Sequence, residues 1–177
     1  MGSYTSPTLV ALAPASMHWF PGQAAFVPAG SFEIAVLAGQ RLSGSPPPAH
    51  VLMIEDDPAI AEMYRVQLEH DGYRVTIATT AEVGFATVAE RAPDIVLLDL
   101  LLPDRSGFEV LESLNQRFPN HPPVVILSNY GEPSMIDRGR SLGAVEYLVK
   151  SRVTPADISG QIPTWIELGR RGGQGES

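Results

Sequence analysis

The chain of 177 residues sets 20 acids against 12 Lys and Arg, a formal net charge of −8, and is 44% hydrophobic with 18% charged residues. That apolar content builds a core and argues against a disordered chain, while the acidity disfavours direct nucleic-acid binding through bulk electrostatics. Without cysteine there is no disulfide scaffold, thiolate metal site or cysteine nucleophile; no apolar run approaches the roughly 20 residues of a membrane-spanning helix, so a cytoplasmic domain without membrane insertion is expected.

Residues 1–48 form the first segment. They hold a single acid, Glu33, and a single base, Arg41, with prolines at 7, 14, 21 and 28. The segment closes on Gly44-Ser45-Pro46-Pro47-Pro48, a stiff stretch that marks a boundary. It is read as an N-terminal extension, poorly ordered or loosely docked, in which Phe32–Ala38 is a short strand or helix. Thr8–Ala15 resembles a signal-peptide core, but no Lys or Arg precedes it. Met17 is an alternative start.

From residue 50 the pattern becomes regular. Apolar, β-branched runs at Val51–Ile54, Tyr73–Ala78, Ile95–Leu98, Val124–Leu127 and Tyr147–Val149 read as parallel strands covered on both faces. Thr76 makes the second an edge strand. A helix follows the first run, capped by Asp57 and opened by Pro58, with Ile60, Tyr64 and Leu68 on its core face. The next starts near Thr80 and ends before Pro93, and a third spans about Gly107–Phe118 with Phe108, Leu111 and Leu114 inward. A fourth, about Glu132–Leu142, is weak, with few apolar residues and Gly139 inside it. The last opens at Thr154-Pro155-Ala156-Asp157 and buries Ile158, Ile162, Trp165 and Ile166; Pro163 is expected to kink or shorten it. Five strands alternating with five helices imply an α/β, doubly wound sheet with helices on both faces. Its ligand crevice lies at the carboxyl ends of the strands.

Chemistry-bearing residues stand at those ends. Glu55, Asp56 and Asp57 follow the first run, Asp99 the third, Ser128 the fourth and Lys150 the fifth. Clustered carboxylates repel one another, and a hard cation such as Mg²⁺ is the usual remedy. Asp99 is then a nucleophile for phosphoryl transfer, with Ser128 and Lys150 holding the remaining oxygens. Lys150 is the one lysine in the chain, a compact point charge among arginines.

The motifs His50-Val51-Leu52-Met53-Ile54-Glu55-Asp56-Asp57-Pro58, Ile95–Pro103 with Ser106-Gly107, Val124–Ser128 and Gly143–Lys150 together resemble the receiver domain of two-component response regulators, over residues 49–168. The resemblance implies a flavodoxin-like five-stranded parallel sheet of order 2-1-3-4-5 and a phosphoaspartate at Asp99, donated by a histidine kinase or phosphotransfer protein. It further implies Mg²⁺ bound by Glu55, Asp56, Asp99 and the backbone carbonyl of Leu101. In the same pattern Ser128 is the switching hydroxyl, Tyr147 the switching aromatic and Lys150 the phosphate contact. Three departures stand out. Ser151 replaces the usual proline after the lysine, which puts the usual cis peptide in doubt. Asn129 follows the switch hydroxyl and narrows access to Asp99. Leu101 and Tyr130 add bulk that is expected to restrict the hydrolytic water.

Asp57 is read as a helix cap only, Asp104 as a surface turn residue and the four histidines as scattered. Residues 169–177, with Arg170-Arg171, are read as a flexible tail. Only 27 residues follow Lys150, so a stand-alone receiver is expected rather than an enzyme. Its output would be contact between its helix 4–strand 5–helix 5 face and an unidentified protein, with homodimerisation left open. Two alternatives remain: a pseudo-receiver that binds partners without phosphorylation, and an aspartyl phosphatase, disfavoured because Leu101 occupies the place of its second acid.

Overall fold

Apolar runs without alternation need cover on both faces, and the three central runs sit where they gain it. In the computed structural model, which describes residues 48–172, the strands are β1 (His50–Ile54), β2 (Arg74–Ala78), β3 (Ile95–Asp99), β4 (Val124–Ser128) and β5 (Glu146–Val149). The helices are α1 (Pro58–His70), α2 (Ala81–Arg91), α3 (Gly107–Arg117), α4 (Pro133–Ser141) and α5 (Pro155–Gly172). All strand pairs are parallel, in the order β2-β1-β3-β4-β5. The expected fold class, a flavodoxin-like doubly wound sheet, is the one observed. The expectations for residues 1–47 and 173–177 lie outside the described residues.

Alternate residues of each central strand serve opposite layers. Val51 and Met53 join Tyr64 and Leu68 of α1 and Ile158, Ile162 and Trp165 of α5 in one core. Leu52 and Ile54 join Phe85, Phe108 and Leu111 of α2 and α3 in the other. Each such side chain contributes about 1.5–3 kcal/mol on burial, so β1, β3 and β4, buried along their whole length, form the rigid middle of the sheet. The edge strands β2 and β5 are mostly half-buried.

Side-chain caps set several helix starts. Asp57 accepts from the amides of Ala59 and Ile60 behind Pro58. Ser106 and Glu109 form a capping box at α3. A Cβ at Gly107 would stand 2.4 Å from the Asp99 carbonyl oxygen, so only glycine lets α3 start this close to the end of β3.

Two helices differ from expectation. Gly139 is the buried point of α4, where a Cβ would lie 2.9 Å from both Ile126 Cδ1 and Tyr147 Cδ2. It is the contact that seats α4 on the sheet as well as a break in helix propensity. Pro163 does not shorten α5, which runs unbroken from Pro155 to Gly172. The ring lies on the exposed side. The hydrogen bond it removes would have ended on the Ser159 carbonyl, and that oxygen accepts instead from the Tyr73 hydroxyl at 3.0 Å. The helix therefore continues past residue 168, and Arg170 and Arg171 belong to it rather than to a tail.

Candidate functional site

Register places the site. Val51–Ile54 pair with Ile95–Leu98, Asp99 pairs with Leu127, and Ser128 with Val149. Parallel strands in this register bring Glu55, Asp56, Asp99, Ser128 and Lys150 to one edge. Glu55, Asp56 and Asp99 each present a carboxylate oxygen within 4.8 Å of the others. Lys150 joins two of them, with Nζ 2.6 Å from Glu55 Oε2 and 3.3 Å from Asp99 Oδ2.

Burial divides these groups. Glu55 is 1% exposed and Asp99 7%, and the Lys150 side chain 8%, whereas Asp56 is open to solvent. Burial pushes the Glu55 carboxyl above its usual range; the bond from Lys150 opposes that rise and the Asp99 charge adds to it. Both Glu55 oxygens are engaged, Oε2 by Lys150 and Oε1 by the Asp57 amide at 3.3 Å. Asp99 Oδ1 accepts from the Leu100 amide at 2.7 Å. One Asp99 oxygen is thus fixed by backbone while the other faces the ammonium. The donor set, three hard oxygens in one notch, fits a divalent cation of the Mg²⁺ class.

Ser128 is buried at the end of β4, and its Oγ accepts from the Tyr130 amide at 3.1 Å. The Tyr147 hydroxyl donates to the Tyr130 carbonyl at 2.8 Å, and its ring, 5% exposed, lies against Gly139 of α4. Burial raises the Tyr147 phenol above its ordinary value; Ser128 lowers it, and the Glu132 and Asp99 charges raise it. Ser128, Tyr130, Tyr147 and α4 therefore form one continuous chain of contacts.

Leu101 lies two residues past Asp99, paired with Ser106 across an isolated antiparallel bridge, and its side chain is 56% exposed. Asn129 and Tyr130 are also exposed. Among the described residues no peptide bond is cis, so the Lys150–Ser151 bond is trans. Asp57 is a helix cap, as read from the sequence.

This arrangement has close relatives. A model of the response regulator receiver domain matches residues 51–161. The chain belongs to the response regulator receiver domain family. The KDP operon transcriptional regulatory protein KdpE of Escherichia coli is 41% identical over 101 residues, covering 57% of this chain and 44% of that protein. The photosynthetic apparatus regulatory protein RegA of Rhodobacter capsulatus is 36% identical over 109 residues, 62% of this chain and 56% of that protein. The chain thus spans about half the length of the curated relatives it matches. A receiver domain structure from Methanospirillum hungatei is 28% identical, with a TM-score of 0.64 over 71% of this chain and 98% of its own. One from Clostridium thermocellum is 30% identical, with a TM-score of 0.63 over 70% and 98%.

Asp104, read from the sequence as a surface turn residue, and Arg105 make contacts that the sequence did not show. The Asp104 carboxylate accepts from the Ala81 amide at the start of α2, at 3.0 and 3.2 Å, and Arg105 pairs with Glu82 at 2.6 Å. No local signal marks either contact, since each joins residues 23 apart.

Proposed function

We propose that this receiver domain is a phosphorylation-dependent switch: Asp99 accepts a phosphoryl group from a histidine kinase or phosphotransfer protein, and the change reaches the face made by α4, β5 and α5. The observation that carries this reading is Lys150, drawn from the last strand onto the carboxylates of both Glu55 and Asp99. Mg²⁺ held by Glu55, Asp56, Asp99 and the Leu101 carbonyl would neutralise charge on the transferring oxygens. An Asp99 oxygen attacks phosphorus, the bond from phosphorus to the donor's histidine nitrogen breaks, and the departing imidazole regains a proton. The product is an acyl phosphate on Asp99. Lys150 offers its ammonium to one phosphoryl oxygen and Ser128 its hydroxyl to another.

The outcome is mechanical. Drawing Ser128 towards the phosphoryl group loads the Tyr130 amide that it now holds, and Tyr130 carries the Tyr147 hydroxyl on its carbonyl. Because the Tyr147 ring lies against Gly139, a shift of that ring moves α4. The relatives are named as transcriptional regulators; for this chain we assign an output through protein contact, with the downstream protein unidentified.

Intact mass after treatment with a small phosphodonor and Mg²⁺ tests the chemistry. One phosphoryl group is expected on the wild type and none on Asp99→Asn. No gain on the wild type would favour the pseudo-receiver alternative, and an equal gain in the variant would move the acceptor elsewhere. Amide spectra that stay unchanged over residues 128–150 on phosphorylation would refute the switch.

A further inference from the structure

The loop after the phosphoacceptor, residues 100–106, carries the carbonyl assigned to the metal. It is short, mostly exposed, and its Leu101 side chain packs on nothing that would bury it. Its two ends are fixed where it meets α3: Gly107 donates its amide to the Leu100 carbonyl at 2.9 Å, and Leu101 bridges to Ser106. Leu100 is buried and Leu102 packs against the same core, which anchors the first half of the loop; residues 103–106 are held by other contacts.

The far half of the loop is held from α2. Asp104 reaches the Ala81 amide with both carboxylate oxygens, at a helix terminus whose dipole favours an anion. That terminus already has its own cap, because the Thr80 hydroxyl accepts from Val83 at 3.3 Å. Asp104 thus takes up a different amide and links two parts of the chain. Burial works to raise its carboxyl, but the backbone amides around it, Ala81 first, hold it below the usual value. The next residue adds a second fastening. Arg105 pairs with Glu82 in the first turn of α2, and its guanidinium lies 5.4 Å from the centre of the Phe85 ring. Adjacent loop residues therefore seize adjacent residues of one helix.

We propose that Asp104, supported by Arg105, is a positioning residue of the metal site: by strapping the loop to α2 it sets the Leu101 carbonyl for Mg²⁺ before the ion arrives. The proposal rests on the metal reading given above. Partners that orient metal ligands without touching the metal typically change affinity roughly 10–100-fold when removed.

Mg²⁺ titration of the full chain, followed by the amide signals of Asp56, Asp99 and Leu101, tests it. Asp104→Ala is expected to weaken Mg²⁺ binding about tenfold or more. Asp104→Asn, which keeps an acceptor oxygen for Ala81, is expected to fall between Asp104→Ala and the wild type. Thr80→Ala, which uncaps the same helix without touching the loop, is expected to lower stability and leave Mg²⁺ affinity unchanged. Equal affinity in folded Asp104→Ala, or an equal loss in Thr80→Ala, overturns the positioning role while the metal site stands. Absence of Mg²⁺-dependent shifts in the wild type overturns the metal reading and this inference with it. Should Asp104→Ala not fold, Glu82→Ala releases the Arg105 fastening from an exposed helix residue. A lowered affinity then supports the strap, and an unchanged one refutes it.

Discussion

A single ammonium serving two buried carboxylates is an uneven bargain at the residue scale. Removing one partner of a buried charged set leaves the others desolvated and uncompensated, at a cost of about 3–5 kcal/mol. Lys150→Met is therefore expected to destabilise the domain by that order at neutral pH, measured by urea unfolding. The pH dependence has a definite sign. Burial raises Glu55 above its ordinary 4.5 and Lys150 restrains the rise, so the variant's Glu55 rises further. The folded state then binds protons more readily than the unfolded one, and stability falls as pH climbs from about 4.5. The variant should approach the wild type at about pH 4 and diverge above it; a difference independent of pH would contradict this account. Asp71 behaves in the opposite way. The Ser159 hydroxyl, then Gln67 and His70, hold its carboxyl down from 3.8 to about 2. Its contribution is present above about pH 4 and is lost as pH falls towards 2, so Asp71→Asn should flatten that part of the acid unfolding curve.

Among elements, α4 and α5 each turn an apparent defect into a fitted part. In α4, Gly139→Ala would gain about 1 kcal/mol of helix propensity. Its new methyl, however, would meet Ile126 and Tyr147 at 2.9 Å, and overpacking of this kind costs about 1–3 kcal/mol. Net destabilisation is expected, with displaced Tyr147 ring signals as its mark. In α5, the acceptor freed by Pro163 depends on Tyr73. Tyr73→Phe should cost about 1–3 kcal/mol, because it strands a buried carbonyl. The loss should shrink in a Pro163→Ala background, where a main-chain N–H returns; a cycle with no coupling would refute the compensation. These elements also mark how far the sequence was legible. The strands could be read because Val51–Ile54, Ile95–Leu98 and Val124–Leu127 are apolar without alternation, which needs two covered faces. Helix starts were legible where Asp57 with Pro58 and Thr154 with Pro155 carry their own local chemistry; the Ser106–Glu109 capping box went unread. The partners of Pro163 and Asp104 were not, because Tyr73 and Ala81 lie in other elements and no spacing within a window points to them. Gly139 misled in part for the same reason, since propensity describes a helix alone and not what presses on it.

For the molecule as a whole, the three acids at one sheet edge predict a stability that depends on divalent cation. A ligand that binds only the folded state adds about 1.4 kcal/mol at ten times its dissociation constant. Mg²⁺ should therefore raise the unfolding midpoint in proportion to the logarithm of its concentration above the dissociation constant, while Asp56→Asn should blunt the effect, as read by thermal denaturation. The family fold accounts for where these groups meet, and the chain's own contacts account for how firmly. Strand order carries one more consequence. Glu55 follows β1 and Asp99 ends β3, both strands buried throughout, but Lys150 follows β5, the short and half-buried margin of the sheet. Anchor and tether thus differ in compliance: under the proposed phosphorylation, a charge added at Asp99 would pull against a stiff foundation on one side and a yielding one on the other, so strain would escape outward through β5 and α4 instead of spreading evenly through the core.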